Sequence, residues 1–246
     1  MIGEKYEQWH KSLIHRSNQE KQNLYFCLMS KILLFFLFAF LLLHSCNSHD
    51  KNGNHGAANE SKKHLVNEIP LYDHRGNIQA VIEIPAGTNE KWEVNKSSGQ
   101  IERDSLNGAP RSINYLGYPA NYGFVPQTLL SKDLGGDGDP LDAIILGSTK
   151  PRGTIVSSKV LGVLQLSDQG EQDDKLILVD VKSPMAAVNS LQELEENHPK
   201  ILMIIRDWFL NYKGTGVMIS HGYAEKSRAE SILLNAHNQH VAGFKK

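Results

Sequence analysis

Apolar and polar residues alternate in several short segments between residues 80 and 181. Ala80–Ile84 alternates with the period of a β-strand, and a proline and a glycine end it. Lys91–Val94 predicts a second strand, followed by a hairpin-type turn over Asn95–Gly99. Three further strands are predicted, over residues 143–146, 154–166 and 175–181. Glycine and proline interrupt these runs at short intervals, which favours a compact barrel over a β-α-β sheet.

Helical periodicity begins only near residue 190. Ser190 and Glu193 form a capping box that predicts a helix over 191–197. Pro199 suits the first turn of a second helix, and apolar residues follow it at helical spacing up to Gly214, which suits a C-cap. A last helix is predicted over about 224–237. Strands followed by helices predict an α+β fold built on a small barrel.

The N-terminal part of the chain has a different pattern. Ile32–Leu43 is an uninterrupted apolar run of 12 residues, which suits a signal-peptide core better than a membrane span of about 20 residues. The residues up to Cys46 resemble a relaxed bacterial lipobox, in which the cysteine is lipidated. We therefore predict a signal segment over residues 1–45, with Met29 as the alternative start, and a membrane anchor at Cys46 in the cell envelope. An uncleaved signal anchor and a buried helix remain alternatives.

Residues 46–64 are rich in Asn, Ser, His, Gly and Lys, so they predict a flexible tether before a globular domain over 65–246. The 246 residues, 40% of them hydrophobic, suffice for one sizeable core. A formal net charge of −1 gives no basic field, so no nucleic-acid partner is expected. The only cysteines are Cys27 and Cys46, which leaves the domain without a thiolate metal site.

Three aspartates, Asp137, Asp139 and Asp142, lie within six residues. Carboxylates this close repel one another, so the loop is unfavourable unless a cation binds there. Mg²⁺ and Ca²⁺ match it, because both prefer oxygen ligands. An EF-hand is excluded, since counting from Asp137 the position that needs glycine holds Asp142. A solvated acidic turn remains an alternative for this motif alone.

Other charged residues recur on the predicted strands and between them. Asp168, Asp173 and Lys175 belong to a second acidic stretch, and Glu83 stands between apolar residues on a strand. Lys91 and Glu93 are two residues apart, so they share one face of their strand. The barrel would thus carry at least six carboxylates, together with lysine side chains that could bind an anion.

In these motifs the chain resembles the soluble (family I) inorganic pyrophosphatases. Asp137 to Asp142 (DGDPLD) is similar to the family signature. Five further motifs follow the family's order, namely Ile82-Glu83-Ile84-Pro85, Lys91-x-Glu93, Tyr118-Pro119-x-Asn121-Tyr122-Gly123, Asp168-x₄-Asp173-x-Lys175 and Tyr212-Lys213. The resemblance covers roughly residues 81–214. It implies a diphosphatase domain over 65–246, and we expect a closed OB-like β-barrel with C-terminal helices packed against it.

The resemblance also implies the roles of the acidic residues. A cluster of Mg²⁺ ions would neutralise pyrophosphate and activate a water, although other divalent cations could serve. The metal ligands would be Asp137, Asp142, Asp168 and Asp173. Asp139 would act as general base toward the attacking water. Glu83 and Glu93 would complete the acidic cavity.

Cationic and phenolic side chains would bind the phosphates. By the same resemblance these are Lys91, Lys175, Lys213, Tyr122 and Tyr212. The phosphate-binding arginine would be Arg111, with Arg103 as the alternative, because each matches the family's spacing on one side only.

Two other functions remain open at this point. One is a non-enzymatic barrel of the cell envelope that binds a divalent cation or an oligosaccharide, and the other is a hydrolase of a nucleotide or polyphosphate. Family members are commonly oligomeric and cytoplasmic. We therefore expect a homo-oligomer with pyrophosphate as its ligand, and a cytoplasmic location is the alternative to the envelope.

Overall fold

Short runs of Val, Ile and Leu form several of the strands in residues 62–243, the part of the chain that this computed structural model describes. The predicted signal segment, Cys46 and the tether up to residue 61 lie outside the described residues. The strands are β1 (Ile78–Ile84), β2 (Trp92–Val94), β3 (Ile101–Arg103), β4 (Ser105–Leu106), β5 (Ala109–Pro110), β6 (Asn121–Phe124), β7 (Asp142–Leu146), β8 (Ile155–Asp168), β9 (Glu171–Gln172), β10 (Lys175–Asp180) and β11 (Met218–Glu225). The strand predictions over 80–84, 91–94, 143–146, 154–166 and 175–181 are confirmed to within two residues.

In the described residues, two α-helices precede the last strand and one follows it. They are α1 (Leu191–Asn197), α2 (Ile201–Asn211) and α3 (Lys226–Gly243). The Ser190 hydroxyl accepts a hydrogen bond from the Glu193 backbone N–H at 3.0 Å, so the predicted N-cap is confirmed. Pro199 lies outside α2, because Lys200 is its N-cap, in the left-handed conformation with φ of 75°.

The main sheet places β7 and β10 at its centre. Its strands pair in the order β1-β6-β7-β10-β8-β11, and the first part of β8 also pairs with β1. Only β7 and β10 are parallel, and their register sets Asp142 opposite Lys175. The mixed sheet with helices confirms the α+β class, and the closed OB-like barrel stays a prediction.

Successive residues of the central strands point into two different apolar layers, as alternation along a strand requires. Leu164 of β8 and Ile177 of β10 pack with Phe209 of α2. Their neighbours Val163 and Leu176 belong to a second cluster, which includes Ile232, Leu233 and Ala236 of α3. The helices therefore cover opposite faces of the same strands, and the ends of the strands are left to carry polar groups.

Strand β11 was not predicted, and the last helix begins at Lys226 instead of residue 224. The sequence of β11 (MISHGYAE) does not alternate cleanly between apolar and polar residues. It is a strand because it pairs with residues 162–168 of β8, about 50 positions earlier in the chain. In the described part of the chain, no helix has the length and apolar character needed to cross a membrane.

Candidate active site

A cavity of about 200 Å³ opens where the acidic loop (residues 137–142) meets the ends of β8 and β10 and the residues after α2. All of the predicted site residues except Arg111 line it. These are Glu83, Lys91, Glu93, Tyr122, Asp137, Asp139, Asp142, Asp168, Asp173, Lys175, Tyr212 and Lys213. The fold therefore brings together groups that lie up to 130 residues apart in the chain.

Lys175 forms the buried floor of this cavity, with its side chain only 2% exposed. Its ammonium group lies 2.6 Å from Asp142 Oδ2 and 2.9 Å from Asp173 Oδ1. It also donates to the Tyr122 hydroxyl oxygen at 3.1 Å, and that hydroxyl donates to Asp142 Oδ2. The register of β10 against β7 creates this contact, since it sets Lys175 directly opposite Asp142.

Burial and charge pairing shift the pKa values of these groups. Burial opposes protonation of Lys175, but the charges of Asp142 and Asp173 outweigh it and raise the pKa of the ammonium group. Burial, followed by the charge of Asp142, raises the pKa of the Tyr122 phenol well above its usual value. Burial also raises the pKa of Asp173, although Lys175 opposes that effect. Lys175 therefore stays a cation and Tyr122 a hydrogen-bond donor at neutral pH.

Two further carboxyl groups of the cavity hold protons more strongly than usual. Burial raises the pKa of Asp137 to about 6, and repulsion from Asp139 and Asp142 adds to the effect. The Glu83 side chain is buried on β1, and its Oε1 accepts a hydrogen bond from the Val94 N–H at 2.7 Å. Burial and the charge of Asp142 raise the pKa of Glu83 to about 8. Such crowded carboxyl groups would ionise more readily beside a cation.

Asp168 ends strand β8 and faces the residues after α2. Its Oδ2 accepts from the Lys213 ammonium group, whereas its buried Oδ1 has no hydrogen-bond partner. The Tyr212 ring stacks on Trp208 with 4.7 Å between ring centroids, so the core holds the end of α2 in place. A buried carboxylate oxygen without a partner is costly, and a bound cation would satisfy it.

The donor set fits a hard divalent cation, because it consists of carboxylate oxygens. Within residues 62–243, no three acidic, histidine or cysteine side chains converge into a complete metal cage. Lysine ammonium groups stand between the carboxylates instead, with Lys175 on Asp142 and Asp173, and Lys213 on Asp168. The charge that the carboxylates need is thus supplied by lysines in this structure.

The two candidate arginines lie outside the residues that line the cavity. The Arg111 guanidinium group binds Asp104 Oδ2 at 2.9 Å, and the Arg111 carbonyl accepts from the Lys91 N–H at 3.1 Å. The Arg103 guanidinium group binds Glu90 at 2.9 Å and lies 5.6 Å from the centre of the Trp92 ring. Phosphate binding by Arg111 stays a prediction.

Two polar residues of the cavity lining, and one lysine outside the lining, were missed by the sequence reasoning. Glu171 and Gln172 line the cavity from β9, and Lys96 forms an ion pair with Asp139. Glu171 and Gln172 lie inside the acidic stretch already noted, which was the available signal. Asp174 of the same stretch is buried and accepts a hydrogen bond from the Leu166 N–H at 3.1 Å.

Comparison with known proteins identifies the family of this chain. The family model "Inorganic pyrophosphatase" matches residues 80–241, well over half of the chain. The chain belongs to the inorganic pyrophosphatase family. The mitochondrial inorganic pyrophosphatase of Saccharomyces cerevisiae is 37% identical over 164 residues, which are 59% of this chain and 53% of that protein. The chain thus spans about half the length of the curated pyrophosphatases it matches.

Solved pyrophosphatase structures share the fold of the described domain. The inorganic pyrophosphatase of Schistosoma japonicum superimposes with a TM-score of 0.66 at 33% identity, covering 70% of this chain and 69% of that one. A truncated vacuolar soluble pyrophosphatase of Trypanosoma cruzi, solved in complex with PPi, gives 0.67 at 26% identity, covering 81% and 76%.

Proposed function

We propose that this chain hydrolyses inorganic pyrophosphate to two phosphates with the help of Mg²⁺. The observation that carries the proposal is one cavity lined by two chemically different sets of groups. Carboxylates of the acidic loop and strand ends form one set, and the lysine ammonium and tyrosine hydroxyl groups that lie among them form the other. A substrate that is all anion needs both sets, since cations must neutralise it and a base must activate water.

Mg²⁺ would be held by Asp137, Asp142, Asp168 and Asp173. The buried Asp168 Oδ1 without a hydrogen-bond partner supports a cation at this position, as does the all-oxygen donor set. When bound, Mg²⁺ neutralises phosphoryl oxygens and makes a water more acidic. Glu83 and Glu93 would complete the set of carboxyl groups around the cavity.

Asp139 would accept the proton of the attacking water. Its side chain is 52% exposed at the mouth of the cavity, so it can reach a solvent molecule. Its own N–H donates to Asp137 Oδ1 at 2.9 Å, which ties the proposed base to a proposed metal ligand.

The phosphate groups would lie against Lys91, Lys175, Lys213, Tyr122 and Tyr212, and Arg111 would add a guanidinium contact on rearrangement. Lys91 is 13% exposed and pairs with Glu93 at 2.7 Å. Burial opposes protonation of Lys91, but the surrounding anionic groups outweigh it and raise its pKa. The ammonium groups therefore remain charged over the range in which pyrophosphate is a multiply charged anion. They would stabilise charge on the leaving phosphate.

Phosphate release from pyrophosphate, measured with Mg²⁺ and with EDTA, tests the proposal. We expect release only with the metal, and weaker release from nucleoside triphosphates and polyphosphate. The variant Asp139→Asn should lose activity yet still bind Mg²⁺ in calorimetry, because the metal ligands remain. Equal release with and without metal, or none from pyrophosphate, would contradict the proposal. Metal binding without hydrolysis would favour the non-enzymatic cation-binding barrel.

We further propose that the barrel closes and that the protein forms a homo-oligomer. The return of β8 to β1 supports closure, because the pairings β1-β6-β7-β10-β8 lead back to β1. Oligomerisation is supported only by the resemblance to a family whose members are commonly oligomeric. Light scattering would measure the mass in solution, and a monomer at micromolar concentration would contradict the oligomer.

We also propose export and lipidation at Cys46, which would place the enzyme at the cell envelope. The apolar run Ile32–Leu43 before Cys46 supports this, and a cytoplasmic location is the alternative. Intact-mass measurement of the membrane fraction tests it. An unmodified chain that begins at Met1 or Met29 would contradict lipidation.

A further inference from the structure

The turn between β2 and β3 carries a lysine that the proposed mechanism does not use. The Lys96 ammonium group forms an ion pair with the Asp139 carboxylate and donates to the Gly138 carbonyl oxygen at 3.0 Å. It therefore binds a side chain and a main-chain group on adjacent residues of the acidic loop. Among residues 62–243, Lys96 is the cation paired with Asp139.

The turn that carries Lys96 has a defined shape. Asn95 Oδ1 accepts hydrogen bonds from the N–H groups of Ser97 at 2.9 Å and Ser98 at 3.2 Å. The Gly99 N–H donates to the Asn95 carbonyl oxygen at 2.7 Å, and Gly99 has φ of 65°. An asparagine that bonds its own backbone in this way fixes a tight turn. The Cα of Lys96 is thereby held at one position.

Residues 64 and 65, which precede β1, contact the backbone of this turn. The Leu65 N–H donates to the Gly99 carbonyl oxygen at 3.0 Å, and the His64 ring nitrogen Nε2 lies 3.2 Å from the Lys96 carbonyl oxygen. The two backbones approach so closely that a Cβ atom on Gly99 would lie 2.6 Å from His64 Cα. The turn is thus held by residues 64 and 65, while the Lys96 side chain extends to the acidic loop.

We propose that Lys96 is a positioning residue for Asp139. The proposal rests on the proposed function, which assigns Asp139 as the base. Lys96 would act through the Asp139 carboxylate and the Gly138 carbonyl. These two contacts would hold the base within hydrogen-bonding distance of the attacking water. A displacement of about 1 Å in such a group can lower a rate about a hundredfold. The Lys96 and Asp139 side chains are 51% and 52% exposed, and exposed ion pairs add little to folding stability.

Lys96→Met tests the role, because methionine keeps the length of the side chain and removes its charge. We expect kcat for Mg²⁺-dependent pyrophosphate hydrolysis to fall about ten- to a hundredfold while KM changes less than about threefold. Lys96→Arg should recover most of the lost kcat, since it restores a cationic donor. Lys132→Met is the matched control. Its side chain lies near Gly138, but no ion pair of Lys132 occurs in the described residues.

A second measurement does not depend on activity. Hydrogen–deuterium exchange of peptides covering residues 131–142 should be faster in Lys96→Met than in the parent or in Lys132→Met, because the loop loses two contacts. Unchanged exchange would overturn the positioning role even if the parent enzyme were inactive.

The kinetic outcomes separate the two proposals. A parent that releases no phosphate contradicts the proposed function. If the parent is active, a kcat for Lys96→Met within twofold of the parent overturns the inference, and so does a rise in KM alone, which would indicate substrate binding. Equal losses in Lys96→Met and Lys96→Arg also overturn it.

Discussion

Replacing Glu83 by glutamine should make the protein more stable, and increasingly so as pH rises. The Glu83 side chain is buried next to Asp142, and burial raises its pKa from 4.5 to about 8. Glutamine has nearly the same shape and keeps an oxygen that can accept the Val94 N–H, which lies 2.7 Å from Glu83 Oε1. The substitution therefore removes the charge and little else.

The sign and size follow from proton linkage. Between pH 4.5 and about 8 the folded protein holds a proton on Glu83 that the unfolded chain releases, so stability falls as pH rises through this range. The difference between 4.5 and about 8 corresponds to at most about 5 kcal/mol. Glu83→Gln avoids this loss. Its advantage over the parent should be near zero at pH 4.5 and reach its full value above pH 8.

Urea unfolding followed by tryptophan fluorescence in EDTA measures the effect at pH 5, 7 and 9. The chelator keeps divalent cations from stabilising the ionised carboxylate. We expect the free energy of unfolding of Glu83→Gln to exceed that of the parent by a margin that grows about 1.4 kcal/mol per pH unit between pH 5 and 8.

Glu93→Gln is the control, because its carboxylate belongs to the same cavity but is 53% exposed to water. Its difference from the parent should vary little with pH. A stability difference for Glu83→Gln that stays constant from pH 5 to 9 would refute the reasoning, since it would mean that Glu83 is charged in the folded protein throughout.

Three further substitutions test other parts of the molecule. Lys175→Met should destabilise the protein by about 3 kcal/mol, or about 6–12 °C in Tm, because two buried carboxylates lose their cation; an unchanged Tm in calorimetry would contradict this. Arg111→Ala should raise KM for pyrophosphate at least tenfold, whereas loss of activity in Arg103→Ala alone would show that the assignment is wrong. Gly123→Ala should leave little soluble protein, because its Cβ would lie 1.8 Å from the Val81 carbonyl oxygen; a Tm within about 2 °C of the parent value would refute that clash.

Features that depend on neighbouring residues could be predicted from the sequence. The repulsion among Asp137, Asp139 and Asp142 acts over six residues, so a cation-dependent loop could be inferred without a fold. The N-cap at Ser190 is equally local, since its hydroxyl bonds a group three residues ahead. Strands β1, β7, β8 and β10 were found because each contains a short run of apolar residues, which reflects its burial in the core.

Features that depend on pairing between distant segments could not be predicted. Strand β11 has no clear pattern of its own and exists because β8 offers it a free edge. Lys96 had no signal, since its role depends on the turn lying against a loop more than 40 residues later.

The sequence by itself determined which chemical groups this protein has and, through six ordered motifs, the family to which it belongs. Only the tertiary structure decided which groups meet. It buried Lys175 between Asp142 and Asp173. It also raised the pKa of Glu83 by burying the carboxyl group away from solvent, and it left Asp168 Oδ1 without a hydrogen-bond partner. The physical reason is that burial and ion pairing depend on distances in space. Those distances are set by the strand register and by the packing of α2, and spacing along the chain does not reveal them.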